Sequence, residues 1–511
     1  MATCHGSAPV ATQMPPAIAA INHTHVAYGG RVPHRRVKLI ADGAQLREGF
    51  AAIRAELGVP GDFPDTAMIA AEQAARRPRL PDRDLTDVGF VTIDPPGSMD
   101  LDQALHIERR GSGYRVRYAI ADVAAFVAPG DPVDLEAHLR GETLYSPDTR
   151  TPLHPPALGE AAASLLPDQQ RPALVWVIDL DDSGRQVEVD VVRAMVRSRA
   201  RLDYAGAQGR IDELGISDDD VLALLAEVGK LRQQLEIERG AVSLRLPEQE
   251  VDVAGDGFWL HYRAPFPVED WNAQISLMTG MAAAGIMLDA GVGVLRTLPA
   301  PDQGAIDMLR RSAHALDVEW PKSLTYQAFV RDLDPATDTG AALLELSTRL
   351  LRGAGYTAFD GAPPESREHA AVAAPYAHAT APLRRLVDRY VGELCAAVCA
   401  GSDVPAWLRD GLPTLPTVMA ASDHRAHALE RACVDLVETV LLEPHVGETF
   451  EAAVVERNHH GGTVQLRRPP VRAKCDGEAL PLGERIEVRL ERADPATRSL
   501  LFAPAAGVTE A

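Results

Sequence analysis

Three aspartates crowd one short stretch of the chain. The run Thr92-Ile93-Asp94-Pro95-Pro96-Gly97-Ser98-Met99-Asp100-Leu101-Asp102-Gln103-Ala104 leaves an apolar segment through a Pro-Pro-Gly turn and brings Asp94, Asp100 and Asp102 close together. Carboxylates gathered so tightly repel one another unless a cation sits among them, and Mg²⁺ takes a few such oxygens together with water and substrate phosphate. Two ions about 4 Å apart would stabilise both the attacking and the leaving oxygens of a phosphodiester displacement. Aspartates also populate solvated turns for purely local reasons. A nucleotide-sugar transferase could use Asp100-Leu101-Asp102 to hold a metal-bound diphosphate. A calcium loop needs Gly at its sixth position and Glu at its twelfth; counting from Asp94 or from Asp100 meets neither requirement.

A second segment, Tyr376-Ala377-His378-Ala379-Thr380-Ala381-Pro382-Leu383-Arg384-Arg385, can handle phosphate. Thr380 and Pro382 predict a helix start, with a capping hydroxyl and a proline in the first turn. That places Arg384 and Arg385 where backbone N–H groups and a guanidinium would hold an anion. The competing expectation is that both arginines pair with Asp388 or other acids. Tyr145 offers an aromatic platform for a base, since every base has a π face, and a buried strand tyrosine is the alternative.

These residues need elements to hold them. At 511 residues the chain exceeds a single core, which stops growing at roughly 250 to 300 residues. Up to residue 81 it offers an Ala/Pro-rich opening and two helical patterns, Ala44 to Leu57 and Thr66 to Arg76, which predict a small helical module, of helix-turn-helix type on one reading. From Val88 the pattern predicts strands at 89–93, 114–121, 174–180 and 187–196, in one mixed or antiparallel sheet. Helical periods follow at about 217–236, 267–288, 303–315, 339–353, 382–399 and 416–441. A sheet flanked by helices is an α+β body. After Pro444, strands at 449–457, 462–467, 485–492 and 499–502 predict a terminal OB-type barrel. The expected domains are 1–81, 82–443 and 444–511.

Composition sets limits on partners. A net charge of -21 argues against a surface that binds nucleic acid everywhere, so any RNA site must be a local basic channel. Positive charge comes almost wholly from Arg, with Lys only at 38, 230, 322 and 474. The five cysteines form no CxxC pair, which argues against a zinc site or a disulfide framework and fits a reducing cytoplasm. Residues 1–21 lack a basic region followed by an apolar run, and the apolar stretch 278–294 is interrupted by Asp289; neither export nor a membrane span is expected.

Four segments in order carry a resemblance. Ile93 to Ala104 is followed by Ala119-Ile120-Ala121-Asp122-Val123, by Arg140-Gly141-Glu142-Thr143-Leu144-Tyr145, and later by Tyr376 to Arg385. This order is similar to the RNB domain of the ribonuclease II and ribonuclease R family, over roughly residues 87–504. The resemblance implies that Asp94, Asp100 and Asp102 are metal-binding and catalytic, with Mg²⁺ or alternatively Mn²⁺. It implies that Arg384 stabilises transition-state charge at the scissile phosphate. It gives Tyr145 the 3′-terminal nucleotide, and makes Tyr376, His378, Thr380 and Arg385 RNA contacts. Glu430 and Glu269 resemble helix-borne glutamates near the 3′ end and the terminal ribose. The family normally has a second Asp directly after the one at 102. Gln103 stands here instead, able to ligate a metal but with less charge. The terminal strands resemble an S1 RNA-binding domain, whose Arg457, Arg467, Arg468, Arg472 and Lys474 would guide a strand. Two cold-shock domains usual in the family cannot fit before Asp94.

The function so implied is a monomeric, cytoplasmic 3′-to-5′ exoribonuclease. It would release nucleoside 5′-monophosphates from single-stranded RNA by attack of metal-activated water. Gln103 supports a rival, an RNB-like RNA-binding protein weakened in catalysis. The sugar-nucleotide transferase has no account of the segment 376–385.

Overall fold

A computed structural model of the chain describes residues 37–39, 44–213, 216–244, 248–254, 257–263, 265–335, 337–458, 460–467, 469, 471–477 and 480–505. The Ala/Pro-rich opening and Arg468 lie outside the described residues. The first described helices are α1 (Ala44–Glu56) and α2 (Asp65–Arg76). They do not pair as a helix-turn-helix. Leu46, Phe50 and Ile53 of α1 share a buried cluster with Leu144, Ala426 and Leu429, whereas Ala71 of α2 enters the cluster around Phe90 and Ala119. Each apolar face is too narrow to make a core with the other, so each is buried against the larger body.

That body is built on five strands: β1 (Phe90–Ile93), β2 (Gln103–Arg110), β3 (Gly113–Ala121), β4 (Gln170–Leu180) and β5 (Gln186–Leu202). They bond in the order β1-β2-β3-β4-β5 and close into a barrel. Neighbours are antiparallel except at the closure, where β1 runs parallel to β5 and Ile93 pairs with Leu202. The expected mixed sheet is therefore present but rolled up, which removes its edges. Tyr114, Val116, Tyr118, Ile120 and Trp176 lie in one buried cluster, and Ala119, Ala121, Ala173 and Val175 in another. Both faces of the strands are covered, which is why 173–178 reads as a continuous apolar run.

Helix α3 (Pro267–Ala290) starts with Pro at its first turn and ends at Gly291 in the left-handed region, φ 69°. Among the described residues it is one helix long and apolar enough to cross a membrane, yet Ile275, Met278 and Met287 are spent in the barrel cluster. Gly280 allows it to touch the loop that carries the arginines: a Cβ there would collide with the Tyr376 ring and stand 2.5 Å from the Ala377 carbonyl oxygen. Helices α4 (Leu386–Cys399) and α5 (Leu415–Leu442) complete the side of the body that faces that loop.

The terminal strands β6 (Thr449–Asn458), β7 (Gly461–Leu466), β8 (Arg472–Asp476), β9 (Arg485–Asp494) and β10 (Ser499–Pro504) form a second closed barrel in the order β6-β7-β8-β10-β9. It is docked on the body: Ala453 and Val455 share a cluster with Leu309 and Ala313, and the Ser312 hydroxyl reaches the Val455 carbonyl at 3.4 Å.

Candidate active site

The acidic loop is fixed at both ends by the barrel. The Asp94 N–H donates to the Leu202 carbonyl at 3.0 Å, and the Asp102 carbonyl accepts from the Ala121 N–H at 2.9 Å. Between them Gly97 turns the chain at φ 81°, a conformation that costs a residue with a Cβ. Ser164 ties down the middle: its hydroxyl accepts from the Leu101 N–H at 2.9 Å and donates to the Met99 carbonyl at 2.6 Å. Asp94, Asp100 and Asp102 thereby line one pocket, together with Gln103, Glu269 and Arg384.

Burial dominates the electrostatics of that pocket. Burial pushes the Asp94 carboxyl up to about 7, with Arg384 opposing the shift and Asp100 adding to it. Burial also drives Asp102 well above the usual carboxylate range, against the pull of Arg384 and the Leu383 N–H. The Asp94 Oδ2 atom is buried without a hydrogen-bond partner, an arrangement that costs free energy unless something positive meets it. Asp100 is paired with Arg150, which also holds Glu160 at 2.9 Å. Among the described residues no group of three or more His, Cys, Asp or Glu side chains is placed to hold a metal ion. Carboxylate oxygens such as those of Asp94, Asp100 and Asp102 are the type of donor that a hard cation takes together with water and phosphate.

The arginine segment differs from its expected form. Helix α4 begins at Leu386, and Arg385 flanks it in extended conformation, φ -138° and ψ 128°. Thr380 does not cap it. The cause is pairing with distant chain: Arg385 forms a β-bridge with Glu142, and the Arg384 carbonyl accepts from the Thr143 N–H at 2.9 Å. Further bonds, local and long-range, hold the loop before it. The Asp388 carboxylate accepts from the Ala381 N–H at 2.7 Å, Asp102 Oδ1 from the Leu383 N–H at 2.7 Å, and the Pro382 carbonyl from His154 Nε2 at 3.2 Å. Gln103 Nε2 donates to the Thr380 carbonyl at 2.5 Å.

The two arginines part company here. Arg384 turns into the pocket, with Nε 3.3 Å from Asp102 Oδ2. Arg385 forks onto Asp388 with two bonds of 2.9 Å, and both side chains are buried. The expected pairing with Asp388 is made by Arg385, and through it the side chain braces the loop.

Tyr376, His378 and Thr380 stand in the same supporting layer and do not line the acidic pocket. The buried Tyr376 ring makes edge contacts with His369 and His378, and the Tyr356 hydroxyl lies 2.7 Å from His378 Nδ1. Tyr145, half-buried, sits on the short strand Leu144–Tyr145 directly across from Arg150. Glu269 lines the pocket while its Oε1 accepts from the Phe266 N–H at 2.8 Å. Glu430, on α5, does not line it. Sequence reading missed Arg150, Arg201, Tyr204 and Asn272. Arg201 donates to the Ser98 carbonyl at 3.2 Å and its charge draws the Asp94 carboxyl down. Tyr204 and Asn272 line the pocket. Helical spacing could have found Asn272, one turn along α3 from Glu269; a hairpin reading of 144–151 could have found Arg150.

The RNB domain model matches residues 82–401, and the model of the RNase II-type exonuclease C-terminal S1 domain matches residues 448–505. The exosome complex exonuclease RRP44 homolog A of Arabidopsis thaliana is 28% identical over 395 residues, covering 74% of this chain and 42% of the relative. The chain thus spans about two-fifths of that relative's length. Among solved structures, Mycoplasma genitalium RNase R in complex with ribose methylated single-stranded RNA has a similar fold, with TM-score 0.78 at 20% identity, covering 91% of this chain and 79% of that one. Yeast Ssd1, a pseudonuclease, has TM-score 0.65 at 17% identity, covering 87% of this chain and 57% of that one.

Proposed function

The chain belongs to the RNB family, whose domain spans residues 82–401, with an RNase II-type S1 domain at 448–505, and on that premise we propose that it is a 3′-to-5′ exoribonuclease. It hydrolyses single-stranded RNA to nucleoside 5′-monophosphates. One observation carries the reading: the pocket gathers Asp94, Asp100, Asp102 and Arg384, which are the groups a phosphodiester displacement needs. A phosphate entering the pocket brings the negative charge that Arg384 can share between Asp102 and the substrate oxygens, stabilising the charge that builds up in the transition state. Asp94, Asp100 and Asp102 would hold Mg²⁺, or Mn²⁺, which when bound supplies the activated water and neutralises the phosphate.

The remaining residues bind and orient. Tyr145 gives the terminal base a stacking surface, and Glu269 with Asn272 accepts and donates hydrogen bonds at the ribose. Tyr376, His378, Thr380 and Arg385 act from behind by keeping the Arg384 turn in place. We retain a catalytic body at 82–443 and an S1-like barrel at 444–511 that leads RNA inward, and we read the protein as a cytoplasmic monomer.

Gln103 favours a second reading, an RNB protein that binds RNA with weak turnover. Purified protein incubated with 5′-labelled single-stranded RNA and Mg²⁺ separates the two. A ladder shortening from the 3′ end supports the nuclease; retained binding without shortening, in Mg²⁺ and in Mn²⁺, overturns it.

A further inference from the structure

Gln103 is the first residue of β2, paired across the ladder with Ile120, and it lines the acidic pocket. Its position next to Asp102 invites the role of a neutral metal ligand. Its side-chain bond says something else. The amide Nε2 donates to the Thr380 carbonyl at 2.5 Å, and a carbonyl can only accept. An aspartate at this position would have no proton to give, would be one methylene shorter, and would set a negative charge against that carbonyl.

The bond joins the acidic loop to the arginine loop at a second point. Asp102 Oδ1 already holds the Leu383 N–H at 2.7 Å. With Gln103 on Thr380, neighbouring side chains grip both flanks of the turn that ends in Arg384. Two anchors fix a short segment in orientation as well as in place, and effects of this kind govern how well a catalytic group meets its target. We infer that Gln103 is a positioning residue that seats Arg384 through the Thr380 carbonyl. The inference rests on the reading of this pocket as a phosphodiester site.

Its test uses Gln103→Met, close in shape but unable to donate, and Gln103→Glu, which adds the missing acid without a donor. Thermal melting checks that both variants fold. Calorimetric titration of Mg²⁺ into RNA-free protein comes first. The inference expects the Gln103→Met dissociation constant to stay within about twofold of wild type, and a weakening of roughly tenfold or more overturns it. Anisotropy of labelled single-stranded RNA in EDTA comes second. Gln103→Met should weaken binding by about threefold to tenfold, the effect of one hydrogen bond, and the loss should vanish in an Arg384→Ala background because the residue acts through Arg384. Equal losses in both backgrounds overturn the inference. Turnover by Gln103→Glu should fall despite the added charge, and a gain in kcat with tighter Mg²⁺ overturns it. If wild type binds single-stranded RNA but cleaves none, the nuclease reading fails while the calorimetry and the binding cycle still decide the role of Gln103.

Discussion

Arg384 and Asp102 form the ion pair at the centre of the pocket, with Nε 3.3 Å from Oδ2, while the other oxygen of Asp102 accepts the Leu383 N–H at 2.7 Å. One carboxylate thus seats the arginine and holds the backbone that carries it.

Replacing that carboxylate by an amide separates the two duties. In Asp102→Asn the side-chain oxygen can still accept from Leu383, so the loop should stay in place and RNA affinity should change little. Hydrolysis should fall by on the order of 10²–10³-fold, as when a group matched to the transition state is lost. Labelled-RNA gels beside anisotropy titrations check this; turnover close to wild type would refute the assignment.

The neighbouring arginines should behave in opposite ways. Arg385→Ala leaves Asp388 buried and uncompensated, a loss of about 3–5 kcal/mol, visible as a lower midpoint in urea unfolding. Arg384→Ala takes away the charge that draws the Asp94 and Asp102 carboxyls down, but these can take up protons in its place, so it should cost less stability while removing turnover. The reverse ranking would mean that Arg385 faces substrate.

Arg150 competes with any metal for Asp100, to which it is ion-paired. Removing a partly exposed pair is worth on the order of 1 kcal/mol, so Arg150→Ala should tighten Mg²⁺ binding by about fivefold. Calorimetry measures it directly. Weaker binding would mean that Arg150 orders the acidic loop instead.

His154 gives the protein an acid limit. Burial pushes its imidazole down to about 4, and the charge of Arg389 adds to this. The folded state holds the neutral ring, with Nε2 bonded to the Pro382 carbonyl and Nδ1 buried without a partner. Because the folded value lies below the unfolded one of 6.5, this stabilisation is complete above about pH 6.5 and drains away as pH falls toward 4. The unfolding free energy of wild type, minus that of His154→Gln, should decline across that window. A flat difference would show that the ring is not held neutral.

Much of the site was legible because its residue types are scarce and close in sequence. Asp94, Asp100 and Asp102 announce themselves, and Arg384 stands in a segment with a recognisable order. The resemblance singled out Arg384, but the late helix start was not legible, since Glu142 and Thr143 draw the chain into a bridge and delay the helix to Leu386. Strand β2 was hidden because Leu105 and Ile107 are its large apolar residues while Glu108, Arg109 and Arg110 close it. Barrel closure is a parallel pairing of Phe90–Ile93 with the far end of β5, and no local pattern records a partner so distant. In the terminal barrel, β8 escaped notice because charged and small residues alternate along it.

Asp102 and Leu383 are 281 residues apart in the chain and directly bonded in space. During synthesis the acidic loop leaves the ribosome long before the arginine loop exists, and domains form as their sequence is completed. The pocket therefore cannot assemble before the segment that carries Leu383 and Arg384 has emerged. A protein that cuts RNA would be unarmed through the whole stretch of synthesis that separates Asp102 from Leu383.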